Sequence, residues 1–177
     1  TFAPPTSNAE YLFAQLMRNM ESACIKARRY SLAPNRIVVF LKKQDFHSVG
    51  SEAKLSRPCA CPLEFSDVIH ELFDACYRPR DVYRATGVVL LDLEADANIQ
   101  YTLFDNPVQA EKIKDLYHVA DELGQKFGKH TVHLGSPHLI DKLGKGRRGT
   151  PTVREQTKML GETNRRHLGL PLLHVKV

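Results

Sequence analysis

No apolar run in this 177-residue chain approaches the roughly 20 residues that a membrane-crossing helix needs, and no signal-peptide pattern opens it. A membrane is therefore not an expected partner. Cysteine is sparse: Cys24, Cys59, Cys61 and Cys76 are all there is. Cys24 and Cys76 fall on apolar helical faces, where a free thiol behaves as a small hydrophobe. Cys59-Ala60-Cys61 is too tightly spaced for a zinc knuckle, which wants two to four intervening residues. Reduced thiols in a cytoplasmic protein are the expectation. No phosphate-binding loop is present either. Gly144-Lys145-Gly146 lacks the Ser or Thr after Lys, and Leu139 stands where the first Gly of such a loop belongs. The Ser, His and Cys residues form no readable nucleophile set, and no internal repeat is evident. The first residue is Thr1 rather than Met, which sets the expectation of a chain cut from something longer, or processed.

What is present is charge, strongly segregated. The net +5 combines −1 from Glu10, +6 over residues 18–57, −8 over residues 58–125 and +8 over residues 126–177. Two basic blocks around an acidic one suggest a polyanion touched by part of the molecule only. With 42% hydrophobic residues the chain has enough apolar material for one proper core and an appendage.

The periodicities predict a coarse architecture. Ser7 or Asn8 caps a helix running to about Tyr30, with Tyr11, Leu12, Leu16, Met20, Ala23 and Ala27 on one face. Pro34-Asn35 reads as a turn before a β-rich Ile37–Leu41. Ala53, Leu55, Arg57 and Cys59 alternate with Lys54, Ser56 and Pro58 as a second strand. A second helix runs from an N-cap at Ser66 to about Tyr77, and Val82–Leu93 is a strong strand. With a very short first strand at Thr1–Pro5, the order is β, α, β, β, α, β. That order predicts an α+β sandwich: a four-stranded antiparallel sheet with two helices on one face and the other face open. Lys42, Lys54 and Arg84 are candidates for that open face, although a one-residue slip in register would flip each. Beyond it come a helix at about Ala110–Phe127, a short strand Thr131–Leu134, a basic Gly-rich stretch at 144–149 and an apolar end at 168–175, together an α/β tail.

Between these parts lies Gln100-Tyr101-Thr102-Leu103-Phe104-Asp105, after a strand and before a turn-like Asn106-Pro107. An extended peptide of this kind suits a greasy groove, with Leu103 and Phe104 as adjacent anchors and the Gln100 amide fixing register. Bacterial proteins that ride on the replication sliding clamp (the β clamp) commonly use such a Gln-x-x-Leu-Phe peptide.

Three stretches form a specific succession: Tyr83-Arg84-Ala85-Thr86-Gly87-Val88-Val89-Leu90-Leu91-Asp92-Leu93, then Gln100 to Asp105, then Lys126-Phe127-Gly128-Lys129. Together with Phe2, Ala27-Arg28-Arg29 and Arg36–Leu41, they resemble the C-terminal region of bacterial Y-family translesion DNA polymerases, the DNA polymerase IV and UmuC-like group (the ImpB/MucB/SamB family). The resemblance covers the chain to about Pro137 and the tail more loosely. It implies a "little finger" DNA-binding domain at 1–97, a clamp-binding peptide at 98–106 and a C-terminal helix and basic tail at 107–177. The family's finger, palm and thumb would precede Thr1.

The resemblance also implies partners: primer–template DNA held by its backbone on the open sheet face, and the sliding clamp through Gln100, Leu103 and Phe104. Arg84 matches a basic, DNA-facing position on the family's last strand. Arg36, Lys42, Lys43, Lys54 and Arg57 are candidates by charge and strand placement. Tyr101 departs from the Leu that often follows the Gln. The resemblance implies no catalysis and no cofactor in this piece: the Mg2+-binding carboxylates of the parent lie in its palm. Asp92, Glu94 and Asp96 alternate at a strand end and read as a solvated acidic edge. Three alternatives remain open. One is a stand-alone nucleic-acid module that stacks RNA bases on Phe40 and Tyr83. The others are a pure clamp adaptor and a zinc enzyme built on Cys59, Cys61 and His residues.

Overall fold

The computed structural model describes residues 1, 4–96 and 106–137. Its elements run α1 (Ala9–Arg29), β1 (Leu32–Lys43), β2 (Ser48–Lys54), α2 (Pro62–Cys76), β3 (Tyr83–Ala95) and α3 (Pro107–Phe127). The sheet has the order β2-β1-β3, with both pairings antiparallel. The α+β class is as expected.

The fourth strand is a different matter, since the described residues form three strands. Of the expected first strand, Phe2 and Ala3 lie outside the described residues; just after it Thr6 and Tyr83 form a bridge, exchanging backbone hydrogen bonds of 2.8 and 2.9 Å. Pro4 and Pro5 lie just before Thr6 and have no N–H to extend the ladder.

Helix α1 starts where the Asn8 side chain accepts from the Tyr11 N–H. Lys26, Arg28 and Arg29 fill its last turn, where cations suit the helix dipole. Its buried Leu12, Leu16, Met17, Met20 and Cys24 meet Ile37, Val39 and Leu41 of β1 and Phe65, Ile69, Leu72, Phe73 and Cys76 of α2 in one core. Burial pushes the Cys24 thiol far above its ordinary range.

Three sequence expectations move. Helix α2 begins at Pro62 rather than after a cap at Ser66, whose hydroxyl instead donates to the Leu63 carbonyl inside the helix. A proline in the first turn loses no hydrogen bond there and has φ already set. The second strand is Ser48–Lys54, not Ala53–Cys59. The three-residue loop Gln44–Phe46, closed by the Lys43 N–H to His47 carbonyl bond, starts pairing at once, so the polar segment becomes the strand. Leu55 and Cys59 alternate because both are buried where their N–H groups reach the carbonyls of Asn35 and Pro34. Pro34 and Asn35 thus lie within β1 and not in a turn.

Helix α3 folds back onto α1 and α2. Tyr117 accepts from the Leu63 N–H at 2.9 Å, and Ile113, Tyr117 and Leu134 pack on the core. The expected strand Thr131–Leu134 is a bend followed by irregular chain. Its last N–H, that of Leu134, donates to the buried Glu21 carboxylate at 2.6 Å, which takes the place of a ladder partner. No described helix is long and apolar enough to cross a membrane.

Candidate nucleic-acid interface

Alternate residues of a strand face opposite sides, and directly paired antiparallel residues share a side. Ile37, Val39 and Leu41 are fully buried beneath the helices, so Arg36, Val38, Phe40 and Lys42 face away from them. Their partners on β2 are Lys54, Glu52, Gly50 and Ser48, and on β3 Leu91, Val89, Gly87 and Ala85. Among the described residues, the sheet face turned away from the helices is open and has an apolar centre, with Arg36, Lys42 and Lys54 among its charged positions.

Arg84 joins them through a defect in pairing. Lys42 pairs with Ala85 but Lys43 pairs with Tyr83, which leaves Arg84 as the extra residue of a bulge. A bulge re-aims a side chain that plain alternation would send elsewhere. The Arg84 guanidinium lies 4.3 Å from the centre of the Phe46 ring, and the Lys42 ammonium lies 5.4 Å from it. Both cations thus gather beside one ring at the tip of the β1–β2 hairpin.

The centre of this face is kept low by two glycines that flank Phe40. A Cβ on Gly87 would stand 2.1 Å from Phe40 Cζ, so the ring lies across Gly87 rather than standing off the sheet. On the other side a Cβ on Gly50 would come within 3.1 Å of the Val39 carbonyl oxygen. Aromatic cover over a strand glycine recovers packing that the glycine forfeits.

The remaining candidates are held differently. Arg36 is on the face, with Nε 3.0 Å from Asp92 Oδ2 and NH1 3.6 Å from Glu52 Oε2. Asp92 reaches it from a left-handed backbone, φ +50°, which Asp tolerates better than most residues. Lys43 is bound to Asp81 at 2.6 Å, and that hydrogen bond raises its pKa. Arg57 grips Glu64 in the first turn of α2, with only 13% of its side chain exposed. Gln100, Leu103 and Phe104 lie outside the described residues.

Tyr83 is fully buried against Tyr77, with its hydroxyl accepting from the Arg78 N–H. It is therefore not available to stack bases beside Phe40. Among the described residues no group of three His, Cys, Asp or Glu converges as a metal set. Asp92 is engaged by Arg36, and Asp96 by Lys114 at 2.6 Å. Sequence reasoning missed Phe46. Its signal was an aromatic in a hairpin loop where glycine or asparagine is the ordinary choice.

The sequence model of the impB/mucB/samB family C-terminal domain matches residues 1–103. A DNA polymerase IV of Acetivibrio thermocellus is 24% identical over 116 residues, covering 65% of this chain and 29% of the relative. The chain thus spans less than a third of that relative's length.

Proposed function

The chain belongs to the impB/mucB/samB family, whose C-terminal domain occupies residues 1–103, and from that premise we propose that it is the DNA-holding and clamp-tethering part of a translesion DNA polymerase. The parent would be a DNA-directed polymerase active in damage bypass. This piece grips primer–template DNA and does not itself polymerise. The observation that carries the reading is the open sheet face, where Lys42, Lys54 and the bulge-aimed Arg84 share one side around a low apolar centre. The similarity to a DNA polymerase IV supports the same reading.

The chemistry suits a polymerase that must accept damaged bases. Lys and Arg on phosphates position a duplex without reading its sequence, and each contact releases a condensed counterion. Arg36 is partly neutralised by Asp92 and Glu52, and contributes when DNA phosphate competes with those carboxylates. Lys43 and Arg57, tied to Asp81 and Glu64, support the fold beside the face. The parent's Mg2+ ions belong to residues outside this piece. The peptide carrying Gln100, Leu103 and Phe104 would hold the assembly on the sliding clamp while the sheet holds the duplex.

The test is a titration with primer–template duplex at several salt concentrations. Log affinity is expected to fall linearly with log salt, nearly independently of sequence, and Lys42→Ala or Arg84→Ala each to lower the slope by about 1. Lys43→Ala and Arg57→Ala are expected to leave the slope unchanged. Failure to bind duplex, or unchanged binding in the Lys42 and Arg84 variants, would leave a clamp adaptor whose sheet never meets DNA.

A further inference from the structure

Phe46 sits where a phenylalanine is costly. It is the αL residue that closes the β1–β2 hairpin, with φ +72° and its N–H donating to the Lys43 carbonyl. A bulky side chain with positive φ is a true outlier, and glycine would serve that turn without strain. Burial does not offset the cost, because Phe46 remains 65% exposed. Its ring lies beside the cations Arg84 and Lys42, both drawn from the open face. The turn calls for the positive φ but not for a bulky side chain, and strained backbone of this kind gathers at ligand-contacting positions.

We propose that Phe46 is a stacking platform for an unpaired nucleotide next to the duplex that the sheet holds. This rests on the duplex-holding reading above and adds to it a preference for a single-strand/double-strand junction. Within a duplex the base faces are already stacked on one another, so an exposed ring gains little there. An unpaired base offers a free π-face, and stacking on aromatic rings is tolerant of sequence. The flanking Lys42 and Arg84 supply cations for the adjoining phosphates, so one nucleotide is held at both its base and its backbone.

The experiment compares binding of the full 177-residue chain to a blunt duplex and to the same duplex with a single-stranded 5′ overhang. Phe46→Ala, Phe46→Gly and Phe46→Trp are measured alongside, each with its thermal midpoint. The wild-type chain is expected to prefer the overhang substrate by about 5-fold or more, the scale of one stacked base. Phe46→Ala and Phe46→Gly are expected to abolish that preference and leave blunt-duplex affinity and salt slope unchanged, and Phe46→Trp to retain it. Phe46→Gly also relieves the left-handed strain, so it is expected to lose the preference while holding or raising its thermal midpoint. Equal loss on both substrates would overturn the proposal and reduce Phe46 to an organiser of Lys42 and Arg84. Duplex binding with no overhang preference would overturn it while sparing the sheet-face reading, whereas no binding to either substrate would sink both.

Discussion

Arg28 near the end of α1 meets Asp121 of α3 through two parallel hydrogen bonds, Nε to Oδ2 at 2.7 Å and NH2 to Oδ1 at 2.8 Å. The same guanidinium donates to the Ala60 carbonyl and lies 4.7 Å from the centre of the Tyr117 ring. One side chain therefore joins α1, the loop before α2, and α3. The planar fork of arginine makes this possible where lysine would offer a single point charge.

Asp121→Asn removes the charge but keeps a polar partner, and Arg28→Ala removes every contact. The expected losses are about 1 kcal/mol for the first and about 2–3 kcal/mol for the second, on the scale of charged hydrogen bonds with one partner left uncompensated. Chemical denaturation measures the total, and hydrogen exchange shows whether the loss concentrates in α3. A loss spread evenly over the core would mean that α3 is not hinged on this pair.

Alkaline pH is expected to loosen the same helix. Burial pushes Tyr117 up to about 12, even though its bond from the Leu63 N–H favours the phenolate. The folded pKa lies above the unfolded value near 10, so the folded state favours the neutral phenol. Its contribution is complete below about pH 10 and is lost as pH rises from about 10 through about 12. Amide protection of α3 followed across that window should fall in the wild-type chain and stay flat in Tyr117→Phe.

Gly87→Ala places a methyl inside the Phe40 ring and must lift the ring off the sheet. A destabilisation of about 1–2 kcal/mol is expected from overpacking. Duplex affinity should fall with it, because the raised ring spoils the low centre of the face. Adding Phe40→Ala removes the clash, so the double variant should recover stability relative to the sum of the single effects. Strict additivity in that cycle would show that the ring does not lie where the structure puts it.

Clamp tethering is tested by calorimetric titration of the chain with a bacterial sliding clamp, beside a Leu103→Ala/Phe104→Ala double variant. The wild-type chain is expected to bind at micromolar affinity or tighter, and the double variant not to bind. Equal binding by both would remove these residues from the interaction.

Much of this fold was readable in one dimension. The α1 face, its cap at Ser7 or Asn8, the apolar run of β3 and the fate of Cys24 and Cys76 follow from periodicity and chemistry that reside within one element, and the structure selects Asn8. The α2 start was misplaced because Ser66 and Pro62 both carry helix-start signals, and the earlier one won. The second strand was misplaced because burial in an irregular loop also produces alternation, at Leu55 and Cys59. For the candidate site, the family resemblance pointed to Arg84, while charge and strand placement pointed alike to Arg36, Lys42, Lys43, Lys54 and Arg57, which no local pattern tells apart.

The sequence by itself determined the family, the α+β class, the helices and the presence of a basic, groupable surface, because each rests on short-range patterns of residue type. Only the tertiary structure decided which cations share the open face, because register is set by the hairpin loop and by a single bulge at Arg84. It also decided which cations are already neutralised, since Asp81, Asp92 and Glu64 reach their partners across gaps in sequence that no local pattern spans. A slip of one residue would exchange the two faces of a strand, and only packing against the helices fixes which of them remains open.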